Sequence, residues 1–227
     1  MNKNLIDYLS KFITEKRFET FLKVINERTD YISIVLEDIY QAQNASAVLR
    51  SCDCFGIQNV HIIENENEYN INPTVALGSS QWLNLHRYNS KEQNTIDTIN
   101  SLKKQGYRII ATTPHTDNVN LEEFDIEKGK FALMFGSEQP GLSDIAMEHA
   151  DEFLKIPMYG FTESFNISVS AAIILNTLTD RLREKNNLNW LLSEDEKEDV
   201  LLNWYKNSIN NSEGIIRTYI SNNKSNL

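Results

Sequence analysis

Apolar positions along this chain follow first one spacing and then another. Leu5, Tyr8, Leu9 and Phe12 fall at i, i+3, i+4 and i+7, and Phe18, Phe21, Leu22 and Ile25 repeat the pattern. That period predicts two short amphipathic helices within the first 28 residues. From residue 31 the pattern changes to short β-branched and apolar runs separated by helical stretches. Strands are predicted at 31–36, 60–63, 83–88, 107–112, 131–135 and 152–156. Between them lie helices at 44–55, stopped at Gly56, at about 91–104, ending at Gly106, and near 142–149. The Asn-rich stretch 65–72 reads as a loop. A long helix follows from about 166 to 185, with Ala171, Ile174, Leu175, Leu178 and Leu182 as its apolar stripe. Residues 167–175 are apolar on nearly all sides, so that helix needs cover on more than one face, from the core and from a candidate second subunit.

Strands alternating with helices imply an α/β fold, a mostly parallel sheet with helices on both faces. After Asn189 the pattern changes again. Ser193 and Glu196 make a capping box for an acidic helix bearing Val200, Leu201, Trp204 and Tyr205. The expected organisation is a helical N-terminal extension at 1–28, an α/β domain at 29–188 and a helical C-terminal extension at 189–227, frayed after about Asn222.

Composition narrows the class. With 227 residues, 41% apolar and 24% charged, the chain can bury a substantial core in one domain with extensions. No run approaches the roughly 18 to 20 apolar residues of a membrane span, and the N-terminus is amphipathic and not signal-like. Cys52 and Cys54 are separated by one residue, too close for an ordinary disulfide. They read as reduced thiols on a helix of a cytoplasmic protein. A net charge of −10 argues, taken alone, against a nucleic-acid binder. Its distribution points the other way: residues 1–28 carry six basic and four acidic side chains, so this segment is +2 and the rest −12. The basic segment is either a solvated helical face or a tethered basic element beside an acidic body.

Several familiar sites are excluded. There is no G-x-G-x-x-G and no G-x-x-x-x-G-K-[ST], so the usual dinucleotide and triphosphate cradles are missing. His61, His86, His115 and His149 lack metal-ligand spacing, and no metal site is expected. No G-x-S-x-G elbow supports a serine hydrolase. What remains is a set of loops after strands, where open α/β sheets build their sites: Phe135-Gly-Ser-Glu-Gln-Pro-Gly-Leu142, Ile156-Pro-Met-Tyr-Gly160 and Ser164-Phe-Asn-Ile-Ser168. Asn44 is by its ordinary role a helix N-cap. Arg50 stands six residues on, about 9 Å along the axis, among small uncharged residues. That setting calls for an acidic or phosphate partner. Glu138 is the intramolecular candidate, or else a solvent-facing turn residue.

Asn44-Ala-Ser-Ala-Val-Leu-Arg50 with Phe55-Gly56, then Phe135-Gly-Ser-Glu138-x-x-Gly141, then Ile156-Pro-Met158 to Ser164-Phe-Asn-Ile-Ser-Val-Ser170 resemble the three motifs of the SpoU/TrmH RNA 2′-O-ribose methyltransferases. The resemblance covers roughly residues 30–185, with the motifs in order. The extensions and the wording of the motifs are most similar to the members that act on guanosine 18 of tRNA. The resemblance implies a SPOUT fold with a C-terminal trefoil knot, S-adenosylmethionine as cofactor, tRNA as partner and a homodimer; ribosomal RNA, or RNA binding without catalysis, are the alternatives. It also implies site residues. Thr112, Gly136, Ile156, Met158 and Phe165 fall at cofactor-contacting positions. Asn44, Arg50, Glu138, Ser164 and Asn166 fall at catalytic and ribose-phosphate positions. Phe165 departs from the family's usual Leu, and the acidic C-terminal extension from its usual basic one. The family's assignment makes Arg50 a base. A guanidinium stays protonated, with a pKa above about 12, so stabilising a developing alkoxide and clamping a phosphate is the alternative.

Overall fold

The computed structural model describes residues 2–70, 72–114 and 119–224. In chain order the elements begin with α1 (Asn2–Leu9), α2 (Glu15–Ile25), β1 (Ile32–Glu37), α3 (Ala42–Phe55) and β2 (Asn59–Ile63). Then come α4 (Pro73–Ala76), β3 (Asn84–Tyr88), α5 (Thr95–Lys104), β4 (Arg108–Thr112), β5 (Val119–Asn120) and β6 (Phe131–Phe135). The chain continues through α6 (Asp144–His149), β7 (Glu152–Lys155), α7 (Ile167–Arg183), α8 (Glu194–Ser208) and α9 (Ser212–Lys224). Two compact units result: Thr29–Trp190, and a helical unit made of the residues up to Arg28 with those from Leu191 onward.

The α/β unit is a seven-stranded sheet in the order β3-β2-β1-β6-β4-β7-β5, with every pair parallel. β1 and β6 are buried along their whole length, as central parallel strands covered on both faces must be. Alternation sorts their side chains. Ile32, Ile34, Leu36, Phe131, Leu133 and Phe135 pack in one core cluster with Val48 and Leu49 of α3 and Ile174, Leu175 and Leu178 of α7. Val35, Ala132 and Met134 pack in a second with Ile99 and Leu102 of α5 and Ala146 of α6. Each fully buried side chain of this size contributes about 1.5–3 kcal/mol, so the two clusters fix the register. β2 and β3 are laid to one side of β1 and the later strands to the other. The order therefore reverses between β1 and β6, and a ligand site is expected at their carboxyl ends.

The connections beside that point are held by buried carboxylates. Glu37, at the end of β1 and 2% exposed, accepts hydrogen bonds from Ser143 N (2.8 Å), Ser143 Oγ (2.7 Å) and Thr95 Oγ1 (2.6 Å). It thereby ties the starts of α5 and α6 to the strand. Asp38, with a φ of 49°, accepts the backbone N–H groups of Asn65, Glu66 and Asn67 on one oxygen at 2.7, 2.8 and 3.2 Å. That interaction gives the Asn-rich loop its shape. Glu64 pairs with Arg87 at 2.6 Å. Burial pushes the Glu64 carboxyl up, but the hydrogen bonds from Arg87 and Tyr69 N outweigh it and hold the group below the usual range.

In the helical unit Thr14 caps α2, accepting from Arg17 N, and Ser193 with Glu196 forms the capping box read from the sequence. Phe21 meets Trp204 and Tyr205 edge-on, with ring centroids 5.3 Å apart in each case. Leu9, Ile25 and Val200 are buried, whereas Phe12 and Leu22 stay about half exposed despite lying on the apolar stripes. Arg28 is buried, its guanidinium 5.3 Å from the Trp204 ring centroid. One of the six N-terminal basic residues is thus withdrawn from the surface. α9 runs through Lys224, past the point where fraying was expected, and residues 225–227 lie outside the described ones.

Candidate active site

The helix after β1 starts at Ala42, with Gln41 in the N-cap position. Asn44 is therefore not the cap that its residue type suggested. It sits in the first turn, buried, with its amide free for other partners. Asn44 Nδ2 donates to Glu138 Oε1 at 2.9 Å, and Asn44 Oδ1 accepts from Asn166 Nδ2 at 3.0 Å. Asn166 Nδ2 also donates to Glu138 Oε1 at 2.6 Å. Asn166 is itself the N-cap of α7, its Oδ1 accepting from Ser168 N (2.9 Å) and Ser168 Oγ (2.6 Å). The remaining carboxylate oxygen, Glu138 Oε2, accepts from Gln41 Nε2 at 3.1 Å. Three sequence-distant motifs thus converge on one carboxylate held by three side-chain amides.

Glu138 belongs to a turn whose geometry only glycine permits. A Cβ on Gly136 would lie 2.1 Å from the carbonyl carbon and oxygen of Gly141, far inside contact distance. Ser137 and Gly141 exchange backbone hydrogen bonds of 3.1 Å, and Gly141 takes the left-handed φ of 74° that the closure needs. The far end of the turn is Ser143, which caps α6 and is gripped by Glu37.

Three clefts surround this turn. One, of about 320 Å³, is lined by Thr112, Gly136, Glu138, Ser164 and Phe165. Thr112 Oγ1 donates to Met134 O at 2.7 Å, which fixes its rotamer there. A second, of about 590 Å³, is lined by Ile156 and Met158 and shares Pro114 with the first. A third, of about 390 Å³, is lined by Tyr40, Gln41, Asn44, Asn67 and Glu138. Glu138 is therefore a wall between the first cleft and the third.

Arg50 is the sequence candidate that this geometry leaves apart. It is exposed, lines none of the three clefts, and makes no hydrogen bond or ion pair among the described residues. The expected Arg50–Glu138 pairing is absent within the chain, because the amides of Asn44, Asn166 and Gln41 occupy that carboxylate. Sequence reasoning missed Gln41, Glu37 and Tyr40. Gln41 and Tyr40 carry no signal in a short polar connection. Glu37 could have been found as an acid closing a fully apolar strand. Among the described residues no group of three or more His, Cys, Asp or Glu is placed to hold a metal ion.

A wholly parallel α/β sheet with a polar cluster and adjoining clefts at its switch point defines a ligand-binding α/β protein. The chain belongs to the SpoU rRNA methylase family, whose model matches residues 31–176. It is 46% identical over 206 residues to a tRNA (guanosine(18)-2′-O)-methyltransferase of Borreliella burgdorferi, covering 91% of this chain and 92% of the relative. A protein of the same name from Aquifex aeolicus is 30% identical, over 88% and 92%. The fold matches the crystal structure of the A. aeolicus TrmH/SpoU tRNA modifying enzyme with a TM-score of 0.75 and 29% identity, over 86% of this chain and 98% of that one. It also matches the SpoU methyltransferase AviRb of Streptomyces viridochromogenes in complex with AdoMet, with a TM-score of 0.58 and 20% identity, over 73% and 63%.

Proposed function

We infer that the protein is a tRNA 2′-O-methyltransferase that uses S-adenosylmethionine and modifies the ribose of guanosine 18. One observation carries the reading: Asn44, Glu138 and Asn166, from three separate motifs, meet in a single hydrogen-bonded cluster on the wall between two clefts. The names of the relatives supply the substrate.

The clefts suit the cofactor. Gly136 lets a ligand approach main chain that a side chain would block, and the lining combines hydroxyls with apolar groups. The first cleft lies at the lower end of the roughly 300–1,000 Å³ typical of small-molecule sites. Thr112, Gly136 and Phe165 would hold the ligand there, with Ile156 and Met158 in the adjoining cleft. When bound, S-adenosylmethionine supplies an electrophilic methyl group on a sulfonium.

The protein has then to aim a 2′-hydroxyl, accept the charge that develops on its oxygen, and let its proton leave. Asn44 and Asn166 orient Glu138 at the wall, and Ser164 offers a hydroxyl on the cofactor side. Arg50, without a partner in its own chain among the described residues, clamps the neighbouring phosphate and stabilises the alkoxide.

The chain after β4 is read as a trefoil knot. In support, β6 lies between β1 and β4, and β7 between β4 and β5, each entering between strands already laid. We read residues 1–28 and 189–227 as helical extensions of a methyltransferase domain at 29–188. A homodimer is supported by Phe165 and Val169, 44% and 43% exposed at the start of α7. An exposed thiol at Cys54 suits a reducing cytoplasm.

The test is to incubate the purified protein with labelled S-adenosylmethionine and either tRNA or ribosomal RNA, and to map the methylated nucleotide. Label at guanosine 18 of tRNA is expected. Label confined to ribosomal RNA overturns the substrate, and no transfer to either RNA overturns the activity.

A further inference from the structure

Resting on that reading, we propose that the cleft on the far side of Glu138 is the nucleoside subsite, where the base of the target nucleotide stacks on Tyr40. The wall argument places it. If the cofactor lies on one side of Glu138, the ribose that accepts the methyl group must come from the other, and its base goes with it. The cleft there measures about 390 Å³, within the range of sites that enclose a small molecule.

Its chemistry selects a neutral occupant. Among the described residues no Lys or Arg lines it, and Glu138 does, so a phosphate would be repelled while a base and a sugar are not. Asn67 uses its Nδ2 to donate to Asp38 O at 3.2 Å, and its Oδ1 accepts nothing among the described residues. With the exposed amide of Gln139 it offers both donors and acceptors to a base edge.

Tyr40 supplies the platform. Its side chain is 79% exposed although both neighbours are fixed: Ile39 is 8% exposed, and Gln41 is hydrogen-bonded to Glu138. An aromatic ring left bare on a pinned segment beside the reacting groups costs little to order when a base covers it. Base–aromatic stacking is insensitive to salt, unlike phosphate contacts.

The experiment compares wild type with Tyr40→Ala and Tyr40→Phe, using tRNA with and without the base at the methylated nucleotide. Tyr40→Ala should weaken tRNA binding roughly tenfold, with an unchanged salt slope and unchanged affinity for S-adenosylmethionine. Tyr40→Phe should recover the binding. The abasic tRNA should lose about the same factor with wild type and nothing further with Tyr40→Ala. Wild-type affinity in Tyr40→Ala overturns the proposal, as do additive losses. So does a fall in that variant's mass in solution, which would make the ring a subunit contact. The binding arm does not depend on turnover, so a protein that transfers no methyl group defeats the functional reading while the stacking is still decided.

Discussion

At the scale of single residues, Arg50 and Glu138 carry opposite charges but are not partners. Glu138 is saturated by amides, which fix the carboxylate without neutralising it. Arg50 keeps its donors for something outside the chain, and a planar guanidinium with five N–H groups is matched to a phosphate. Arg50→Ala should lower methyl transfer at least about a hundredfold, the usual cost of removing one group that stabilises developing charge. Affinity for S-adenosylmethionine should stay within about twofold, since Arg50 lines neither candidate cofactor cleft. Arg50→Lys should fail as well, because a point charge cannot replace a two-pronged contact. Steady-state turnover beside equilibrium cofactor binding checks both expectations, and a variant that keeps most of its turnover removes Arg50 from the chemistry.

At the scale of elements, the sequence was readable wherever periodicity ran long enough. Strand 131–135 was placed to the residue, and α3, α5 and α7 to within a few positions, because runs such as Ile32–Glu37 and stripes such as Ala171 to Leu182 have only one comfortable period. β5, with two residues, and α4, with four, have no period to read. Motif residues announced Asn44, Glu138 and Asn166. Their meeting point did not follow from spacing, since it depends on β6 entering beside β1. The pair β2–β3 at the sheet edge adds a pH response. His61 is buried, stacked on His86 with centroids 4.7 Å apart, with Nδ1 2.9 Å from Tyr88 Oη. Burial, and then the neighbouring His86, push its pKa down to about 3. The unfolded chain binds a proton there near pH 6.5 and the folded one does not, so the contribution is complete above pH 6.5 and is lost as pH falls toward 3. Between pH 7 and pH 5 this amounts to about 2 kcal/mol. Urea titrations at the two pH values should show that loss. His61→Phe, which keeps a ring but cannot titrate, should flatten it; an equal slope in the variant assigns the acid sensitivity elsewhere.

At the scale of the whole molecule, association and charge remain. Light scattering at micromolar concentration should give about twice the 26.2 kDa chain mass. A monomer would leave the exposed Phe165 and Val169 unexplained and remove the homodimer from the proposal. The charge argument is reshaped by the helical unit. Deleting residues 1–28 would strip Phe21 from Trp204 and Tyr205, and would confound lost binding with lost folding. Arg28 is buried, but Lys3, Lys11, Lys16 and Lys23 are exposed and can be reversed in sign without opening the core. With −12 on residues 29–227, those lysines are the principal basic feature of a chain that has to meet a polyanion. Each phosphate contact contributes about 0.7 to 0.9 to the slope of log K against log salt. Replacing all four by Glu should therefore weaken tRNA binding by more than tenfold at moderate ionic strength and flatten the slope by about 2 to 3. Cofactor affinity should not change. Equilibrium binding across a salt series decides the matter: an unchanged affinity and slope would make α1 and α2 packing elements alone, and the RNA would have to be held by Arg50 and its surroundings.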